Sequence, residues 1–259
     1  MEENQSYAYF PGEAWEGRTW LEGNRLPRMH PFLPEISQAS FGACDIRYLV
    51  PGGMGFDEPM EIDDHGYHFV PEKYGYNLDN YLQEFSHKSM KRLAKELANF
   101  DERGFSLRVN HLADFDHLIG MNISRYGSSS YFYDVRFSNS FADLLDLLNR
   151  NGWLRLTTVI MDNQPVAIDL GCIYNGTYTL LAGGTHQDYP GIAKVINMHH
   201  IRTACEERMR DVDFLCGAFS WKTLFHLEPR PLYRFANQAS MSLKGSARPV
   251  EKESWIVSA

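Results

Sequence analysis

The sequence predicts a mixed α+β fold in which a central sheet is flanked by helices. Residues 154–183 contain three strand-like apolar runs that are separated by turn residues. A loop with glycine and proline follows the third run, and a helical segment and a further short apolar run come next. With 259 residues, of which 44% are apolar and 22% charged, the chain has the composition of a globular protein with a large core.

The N-terminal region shows few periodic patterns. Short apolar runs predict strands at 46–50 and 67–70. Residues 51–55, with the sequence PGGMG, favour a loop that is a candidate lid. The chain has neither the P-loop pattern nor the glycine pattern of dinucleotide-binding folds. The expected organisation is an N-terminal region at 1–76, a main domain at 77–238 and a C-terminal tail at 239–259.

From residue 77 onward, helical and strand-like patterns follow one another. Helical spacing predicts helices at 77–85, 90–97, 112–126, 140–151, 192–209 and 221–227. Strands are expected at 105–109, 154–161, 166–174, 177–183, 212–215 and 232–237. Asn175-Gly176 is a strong signal for a type I′ hairpin turn, and Ser138 or Ser140 is suited to cap the helix at 140–151.

The charge distribution limits the binding partners. The chain carries 25 basic and 33 acidic residues, which gives a net charge of −8. This balance argues against a general nucleic-acid-binding surface, because such a surface must neutralise phosphates. One predicted helix differs, since it carries Lys88, Lys91, Arg92 and Lys95. These side chains form either a solvated helix face or a local docking surface for an anionic partner.

The sequence also bears on location and on metal binding. No apolar stretch approaches the roughly 18 residues that a membrane helix needs. The first residues are acidic and polar, unlike a signal peptide, so we expect a cytoplasmic protein. The four cysteines are scattered without a close pair, and no metal site is therefore expected. The oligomeric state stays open.

The connection between the strand at 177–183 and the helix at 192–209 is a candidate anion site. The first N–H groups of a helix have no intrahelical acceptor and carry a partial positive charge. They therefore suit a phosphate or diphosphate. The alternative is an ordinary strand-to-helix connection that binds nothing.

Several short motifs follow one another in the second half of the chain. They are NQPVA at 163–167, YPG at 189–191, VDFLCG at 212–217 followed by Trp221-Lys222, and PLYR at 231–234. In order and spacing, and together with the basic helix at 88–95, they resemble the FemAB-like branch of the GNAT acyltransferase superfamily, which includes the CelD/BcsL-type acetyltransferases. The resemblance covers residues 77–238 and implies a GNAT-like mixed sheet. Residues 1–76 would be a shortened remnant of a first GNAT repeat.

The resemblance implies a site for the acyl donor. A pantetheine arm would lie along the third strand, at Leu181, Ala182, Gly183 and Gly184. The diphosphate would lie at the helix entry beside Tyr189, on the N–H groups of Gly191, Ile192, Ala193 and Lys194. The entry loop departs from the family's usual Q/R-x-x-G-x-G/A pattern, because only Gly191 and Ala193 correspond to its small residues. No tightly bound cofactor is implied, and acyl-CoA or an acyl-carrier thioester would be the co-substrate.

Three side chains are candidates for the proton transfers of acyl transfer. Asp169 lies inside an apolar strand and either deprotonates or holds the amine, or faces solvent. His186 follows the third strand and is either a general base or an exposed loop residue. Tyr233 is either an acid for the leaving group or a core residue.

Two further residues are candidates for substrate binding. Lys222 corresponds to the family's lysine after the last core strand, and it either binds an anionic acceptor or lies on the surface. Trp221 stands where the family usually has tyrosine, and it either lines a pocket or packs in the core. His199 and His200, in the middle of a helix, are expected to be packing or surface residues.

These features predict an N-acyltransferase that moves an acyl group from acyl-CoA or an acyl-carrier protein to the primary amine of a small metabolite or amino acid. Two alternatives stay open. The first is a Fem-type transferase with an aminoacyl-tRNA donor, and either tRNA or a carrier protein would dock on the helix at 88–95. The second is a catalytically silent GNAT-like binding module, which the atypical entry loop favours.

Overall fold

The computed structural model of the protein describes residues 22–25, 44–50 and 61–236, together with three two-residue strands nearer the N-terminus. The candidate lid at 51–55 and the tail at 239–259 lie outside the described residues.

From β4 onward, the described residues form strands and α-helices in the order that the sequence patterns predict, whereas the three short strands before β4 were not predicted. The strands are β1 (Tyr7–Ala8), β2 (Ala14–Trp15), β3 (Arg18–Thr19), β4 (Cys44–Leu49), β5 (Glu61–Phe69), β6 (Ser106–Val109), β7 (Leu154–Met161), β8 (Gln164–Tyr174), β9 (Thr177–Thr185), β10 (Asp211–Cys216) and β11 (Glu228–Ala236). The α-helices are α1 (Leu78–Leu82), α2 (His87–Arg103), α3 (Asp114–Tyr126), α4 (Val135–Arg150), α5 (Ala193–Glu206) and α6 (Ser220–Leu224).

The chain divides into two compact units. The first contains the described residues up to Tyr67 together with Leu215–Ala218 and 229–236. The second contains His68–Phe214 and Phe219–Glu228. The first unit thus draws on both ends of the chain, and this division does not coincide with a boundary after residue 76.

In the first unit, β4 is the central strand. It pairs in parallel with β1 and antiparallel with β11. The Arg47 side chain of β4 binds the Asp63 carboxylate of β5 through two nitrogens, with Nε 2.9 Å from Oδ2. β5 begins at Glu61, well before the predicted start at residue 67, and the Asp63 pairing explains why this polar segment is extended.

The second unit contains a mixed sheet with the strand order β10-β9-β8-β7-β6. The neighbours from β6 to β9 are antiparallel, whereas β9 and β10 are parallel. Asn175 and Gly176, between β8 and β9, have φ values of 49° and 73°. Two positive φ values are what a type I′ turn requires, so the predicted hairpin is confirmed.

Helices cover both faces of this sheet. Gly183 and Gly184 are successive residues of β9 and therefore point to opposite faces. A Cβ at Gly184 would contact Leu118, Met121 and Asn122 of α3, which places α3 on one face. Asp169, which is opposite Gly183 in β8, contacts His200 of α5, which places α5 on the other face.

The start of α4 differs from the prediction. The helix begins at Val135, and the Asp134 side chain accepts from the Arg136 N–H as its N-cap. Ser138 and Ser140 lie inside the helix, and their hydroxyls donate to the backbone oxygens of Phe132 and Arg136. The proposed serine caps were wrong because aspartate caps equally well four to six residues earlier, before the apolar spacing becomes regular.

A buried carboxylate anchors α3 to the sheet. Asp114, the first residue of α3, is 1% exposed. It accepts from Arg108 Nε of β6 at 3.0 Å and from the Thr158 hydroxyl of β7 at 2.6 Å. Burial alone would raise the pKa of Asp114, but the hydrogen bonds from Arg108 and Thr158 outweigh it and lower the pKa.

We expect Arg108→Met to destabilise the protein by about 1.5–3 kcal/mol, because it leaves the buried Asp114 charge without its main donor. Urea unfolding would measure the loss. Arg136→Met, which removes a similar pair with the exposed Asp134, is the control and should leave the midpoint unchanged. Equal midpoints for the two variants would contradict the anchoring role.

The same carboxylate predicts a pH dependence. Because the folded-state pKa of Asp114 is lowered, its contribution is present above the unfolded value of about 3.9 and is lost as the pH falls through the folded value. The stability difference between wild type and Asp114→Asn should therefore be largest near neutral pH and shrink toward pH 3. A difference that is constant across this range would contradict the assignment.

Candidate active site

The edge of β9 next to β10 is open over most of its length. Pairing between the two strands covers Thr177–Thr179 of β9 and Asp211–Asp213 of β10. Beyond Thr179, no strand in the described part of the chain pairs with this edge. On the other side, β8 pairs Leu170 with Ala182 and Gly171 with Leu180, so Leu181 is the extra residue of a β-bulge.

Two glycines, Gly183 and Gly184, follow this bulge, and at both positions an added Cβ would come too close to a neighbouring atom. A Cβ at Gly183 would lie 2.4 Å from Oδ1 of Asp169. A Cβ at Gly184 would lie 3.1 Å from the Cβ of Met121 in α3. The Gly183 carbonyl accepts from Asn122 Nδ2 of α3 at 2.8 Å. The backbone at the predicted donor arm is therefore closely packed on both faces.

Asp169 is buried beside Gly183, with 5% of its surface exposed. The alternative that it faces solvent is therefore wrong. Its Oδ2 lies 2.8 Å from Nε2 of His200, and Nδ1 of His200 lies 3.3 Å from the Tyr178 hydroxyl. The sequence offered little to identify this pair, because neither His200 in α5 nor Tyr178 in β9 lies near Asp169 along the chain.

His186 lies at the end of β9, on the loop that leads to α5. Its side chain is 34% exposed, and its Nδ1 accepts from the Asp188 N–H at 3.3 Å. Arg125 of α3, which the sequence patterns did not single out, reaches the neighbouring Thr185 hydroxyl at 3.2 Å. In the described residues no hydrogen bond joins His186 to Asp169, so these two candidate bases are separate groups.

At the entry to α5, some of the backbone N–H groups already donate to acceptors within the turn. Gly191 has a φ of +87°, which favours glycine, and α5 begins at Ala193 without a side-chain cap. The Ile192 N–H donates to Tyr189 O at 3.1 Å, and the Lys194 N–H donates to Gly191 O at 3.0 Å. Two of the four N–H groups expected to bind diphosphate are thus satisfied within the turn.

The Lys194 side chain forms an ion pair with Glu96 of α2. Glu96 also accepts from Arg92 at 3.0 Å. Partial burial would raise the pKa of Glu96, but the hydrogen bonds from Lys194 and Arg92 outweigh it and lower the pKa. Lys194 therefore already has a partner at the helix entry, and it shares that carboxylate with Arg92.

Tyr189 is a core residue at the same entry. It is 6% exposed and packs with Phe100 of α2 and Ile192. Its hydroxyl donates to Asp162 at 2.8 Å and accepts from Gln164 at 2.9 Å. Its side chain thereby ties the β7–β8 hairpin to the entry loop.

The remaining candidates lie in α6 and β11. Lys222 is fully buried, so the alternative of a surface lysine is wrong. Its Nζ donates to Phe214 O at 2.8 Å and lies 5.7 Å from the Trp221 ring centre. Trp221 is 5% exposed. Tyr233 pairs with Leu49 in the sheet of the first unit. The roles of these three residues stay predictions.

The family comparison decides the class of the protein. Residues 87–223, more than half of the chain, match the model of the acetyltransferase (GNAT) domain. The chain belongs to the GNAT acetyltransferase family. This confirms the expected acyltransferase class. No curated protein matches the chain.

Solved structures share the GNAT fold at low sequence identity. The L-PGS structure from Bacillus licheniformis has a TM-score of 0.57 at 10% identity and covers 84% of this chain and 74% of its own. FemX has a TM-score of 0.55 at 12% identity, over 84% of this chain and 77% of its own. A protein of unknown function from Bacteroides thetaiotaomicron VPI-5482 has a TM-score of 0.50 at 11% identity, over 80% and 65%. The FemAB-like GNAT fold expected from the sequence is confirmed.

In the described residues, no α-helix has the length and apolar character needed to cross a bilayer. Likewise, no three His, Cys, Asp or Glu side chains in this part of the chain are arranged to hold a metal ion.

We expect Gly183→Ala to destabilise the GNAT domain by about 1–3 kcal/mol, because the added methyl group displaces the buried Asp169 carboxylate from His200. Gly120→Ala is the matched control. Gly120 lies in α3 with no atom within 4 Å of an added Cβ, so alanine should leave stability unchanged or raise it by up to about 1 kcal/mol. Urea unfolding of both variants would measure this difference, and equal effects would contradict the close contact.

Proposed function

We propose that this GNAT protein transfers an acyl group from a thioester donor to a primary amine, at the bulged edge of β9. The observation that carries the proposal is the position of Asp169 Oδ1, which faces Gly183 just beyond the Leu181 bulge. An acyl arm along the open edge of β9 would bring its carbonyl to the same residues. The acceptor would be a small metabolite or an amino acid.

The chemistry needs a proton acceptor and donors for a developing oxyanion. The amine nitrogen attacks the acyl carbon, the bond to the sulfur leaving group breaks, and the amine loses a proton. Asp169 would accept or hold that proton, with His186 as the alternative base. Backbone N–H groups that the bulge turns away from β8 would stabilise the oxyanion. The role of Tyr233 as an acid for the leaving group stays a prediction from the sequence.

The helix entry supports a donor that depends little on a diphosphate. The Lys194 side chain is ion-paired with Glu96, and the N–H groups of Ile192 and Lys194 already have acceptors. A CoA diphosphate would have to rely on Gly191 and Ala193. A thioester held by a carrier protein avoids this requirement, because its arm can enter β9 while the carrier contacts the surface.

A docking surface for such a carrier is the basic stripe, which we define as Lys88, Lys91, Arg92 and Lys95 of α2. All four side chains are exposed. Their spacing of three, four and seven residues places them on one face of the helix. The acidic surface of a carrier protein would complement this stripe in a chain whose net charge is −8.

The same stripe supports a second candidate donor, aminoacyl-tRNA. The Fem-type chemistry would transfer the aminoacyl group from a tRNA ester to an amine, with the stripe bound to tRNA phosphates. Because each phosphate contact releases counterions, tRNA binding would weaken steeply with salt. A catalytically silent binding module is the third candidate, and turnover with any of these donors would exclude it.

We expect Asp169→Asn to lower the rate of acyl transfer by roughly 10²-fold or more, because the amide cannot accept the proton. Release of free thiol from a carrier-bound or CoA thioester, with a panel of amines, would measure the rate. Asp143→Asn, with an exposed side chain in α4, is the control and should retain activity. Unchanged turnover in Asp169→Asn with an intact fold would refute its catalytic role.

Reversing charges on the basic stripe tests whether an anionic donor carrier docks there. We expect Lys91→Glu with Lys95→Glu to weaken binding of an anionic carrier or tRNA at least about tenfold at low salt, and the effect should shrink as salt rises. Arg136→Glu with Arg150→Glu makes the same charge change on α4 and is the control. Fluorescence titration would measure affinity. Equal losses in both variants would contradict a specific docking surface.

A further inference from the structure

A buried row of three side chains lies behind the β9 bulge: Asp169 of β8, His200 of α5 and Tyr178 of β9. We propose that His200 and Tyr178 are positioning residues that hold the Asp169 carboxylate with Oδ1 toward Gly183 and the acyl carbonyl. This inference rests on the proposed function, because it assigns a purpose to the orientation of its base. The two can nevertheless be tested separately.

The geometry of the row is that of a continuous hydrogen-bond chain. Oδ2 of Asp169 lies 2.8 Å from His200 Nε2, and His200 Nδ1 lies 3.3 Å from the Tyr178 hydroxyl. The exposed fractions are 5% for Asp169 and 1% for each of the other two residues. With Oδ2 held by the imidazole, Oδ1 is the oxygen that remains over Gly183.

The tautomer of His200 follows from its neighbours. A neutral imidazole has one donor nitrogen and one acceptor nitrogen. The Asp169 carboxylate can only accept, so Nε2, which lies 2.8 Å from Oδ2, carries the ring proton and donates it. In a neutral ring Nδ1 is then the acceptor, and the Tyr178 hydroxyl donates to it. Tyr178 thus favours this tautomer, and His200 fixes the carboxylate.

Two glycines make room for the row. A Cβ at Gly171 of β8 would lie 2.3 Å from Cε2 of Tyr178, and a Cβ at Gly183 would lie 2.4 Å from Oδ1 of Asp169. Glycine weakens the interior of a strand, and a buried carboxylate costs free energy even when it is paired. Apolar side chains in place of the row would cost less folding free energy. Packing alone therefore does not explain the row, whereas the orientation of a catalytic base does.

The first test needs no substrate. The ¹⁵N and ¹H NMR signals of the wild-type His200 ring, assigned through His200→Gln, should show a neutral ring protonated at Nε2. Tyr178→Phe keeps the ring over Gly171 and should change the tautomer balance. His199→Gln is the control and should leave the tautomer of His200 unchanged, because no hydrogen bond among the described residues joins His199 to the row. A charged His200 or an Nδ1-protonated ring in the wild type would overturn the proposal.

The second test separates positioning from a structural role. We expect Tyr178→Phe and His200→Leu to lower kcat about 10- to 100-fold with little change in KM for the donor, because a misplaced base slows the chemical step. His200→Gln, with an amide N–H that can still donate to Asp169, should recover part of kcat. Wild-type kcat in folded Tyr178→Phe and His200→Leu would overturn the proposal.

The outcomes distinguish this inference from the proposed function. Loss of activity in Asp169→Asn, with full activity in the Tyr178 and His200 variants, would reject the positioning residues and leave the base in place. Full activity in Asp169→Asn would reject Asp169 as the base, and with it the proposal that His200 and Tyr178 position a base. If the wild type transfers no acyl group from any donor, the proposed function fails, and the His200 tautomer alone decides whether the row is built as described.

Discussion

The burial of the Asp169 carboxylate between β9 and α5 is the constraint on which the site depends. A charged group at this depth must be paired, and His200 is its partner. That contact joins β8 to α5, and the Asp169 carboxylate leaves no room for a side chain at position 183. The bulge at Leu181, Gly183 and α5 are therefore parts of one arrangement.

A second constraint acts at the start of α5, where charge rather than packing decides what can bind. In an anion site the helix N-terminus and a nearby lysine act together on a phosphate. Here Lys194 is ion-paired with Glu96, and two of the N–H groups donate to carbonyl oxygens within the turn. Further exposed positive charge lies on α2, in the basic stripe, whose Arg92 shares Glu96 with Lys194. The proposed anionic donor carrier would thus be recognised at the protein surface beside the helix entry.

Much of the fold is readable from the sequence because its signals are local. Asn175-Gly176 sets the β8–β9 turn by backbone chemistry, and β7 begins and ends at the residues that its apolar run indicates. The serine caps of α4 failed because several capping residues lie within six positions of one another, and only the backbone selects Asp134.

The candidate site was predicted in outline but not in its contacts. Asp169 stands out in the sequence as a charge within an apolar strand, yet its partner His200 is 31 residues away and looked like a packing residue. The neutralisation of Lys194 by Glu96 spans 98 residues, so no spacing pattern could reveal it. Such pairings depend on how α2 and α5 pack against the rest of the domain, and local sequence patterns do not predict that packing.

The proposal that the acyl arm binds along β9 implies that the helix entry adds little affinity. Calorimetric titration with acetyl-CoA and with acetyl-pantetheine, which has the same arm without the nucleotide, tests this directly when backbone amide NMR shifts are followed in parallel. We expect dissociation constants within about tenfold of each other, which is 1.4 kcal/mol, and shifts at residues 181–184 with both ligands. Acetyl-CoA binding more than about a hundredfold tighter, with the largest shifts at 191–194, would contradict it.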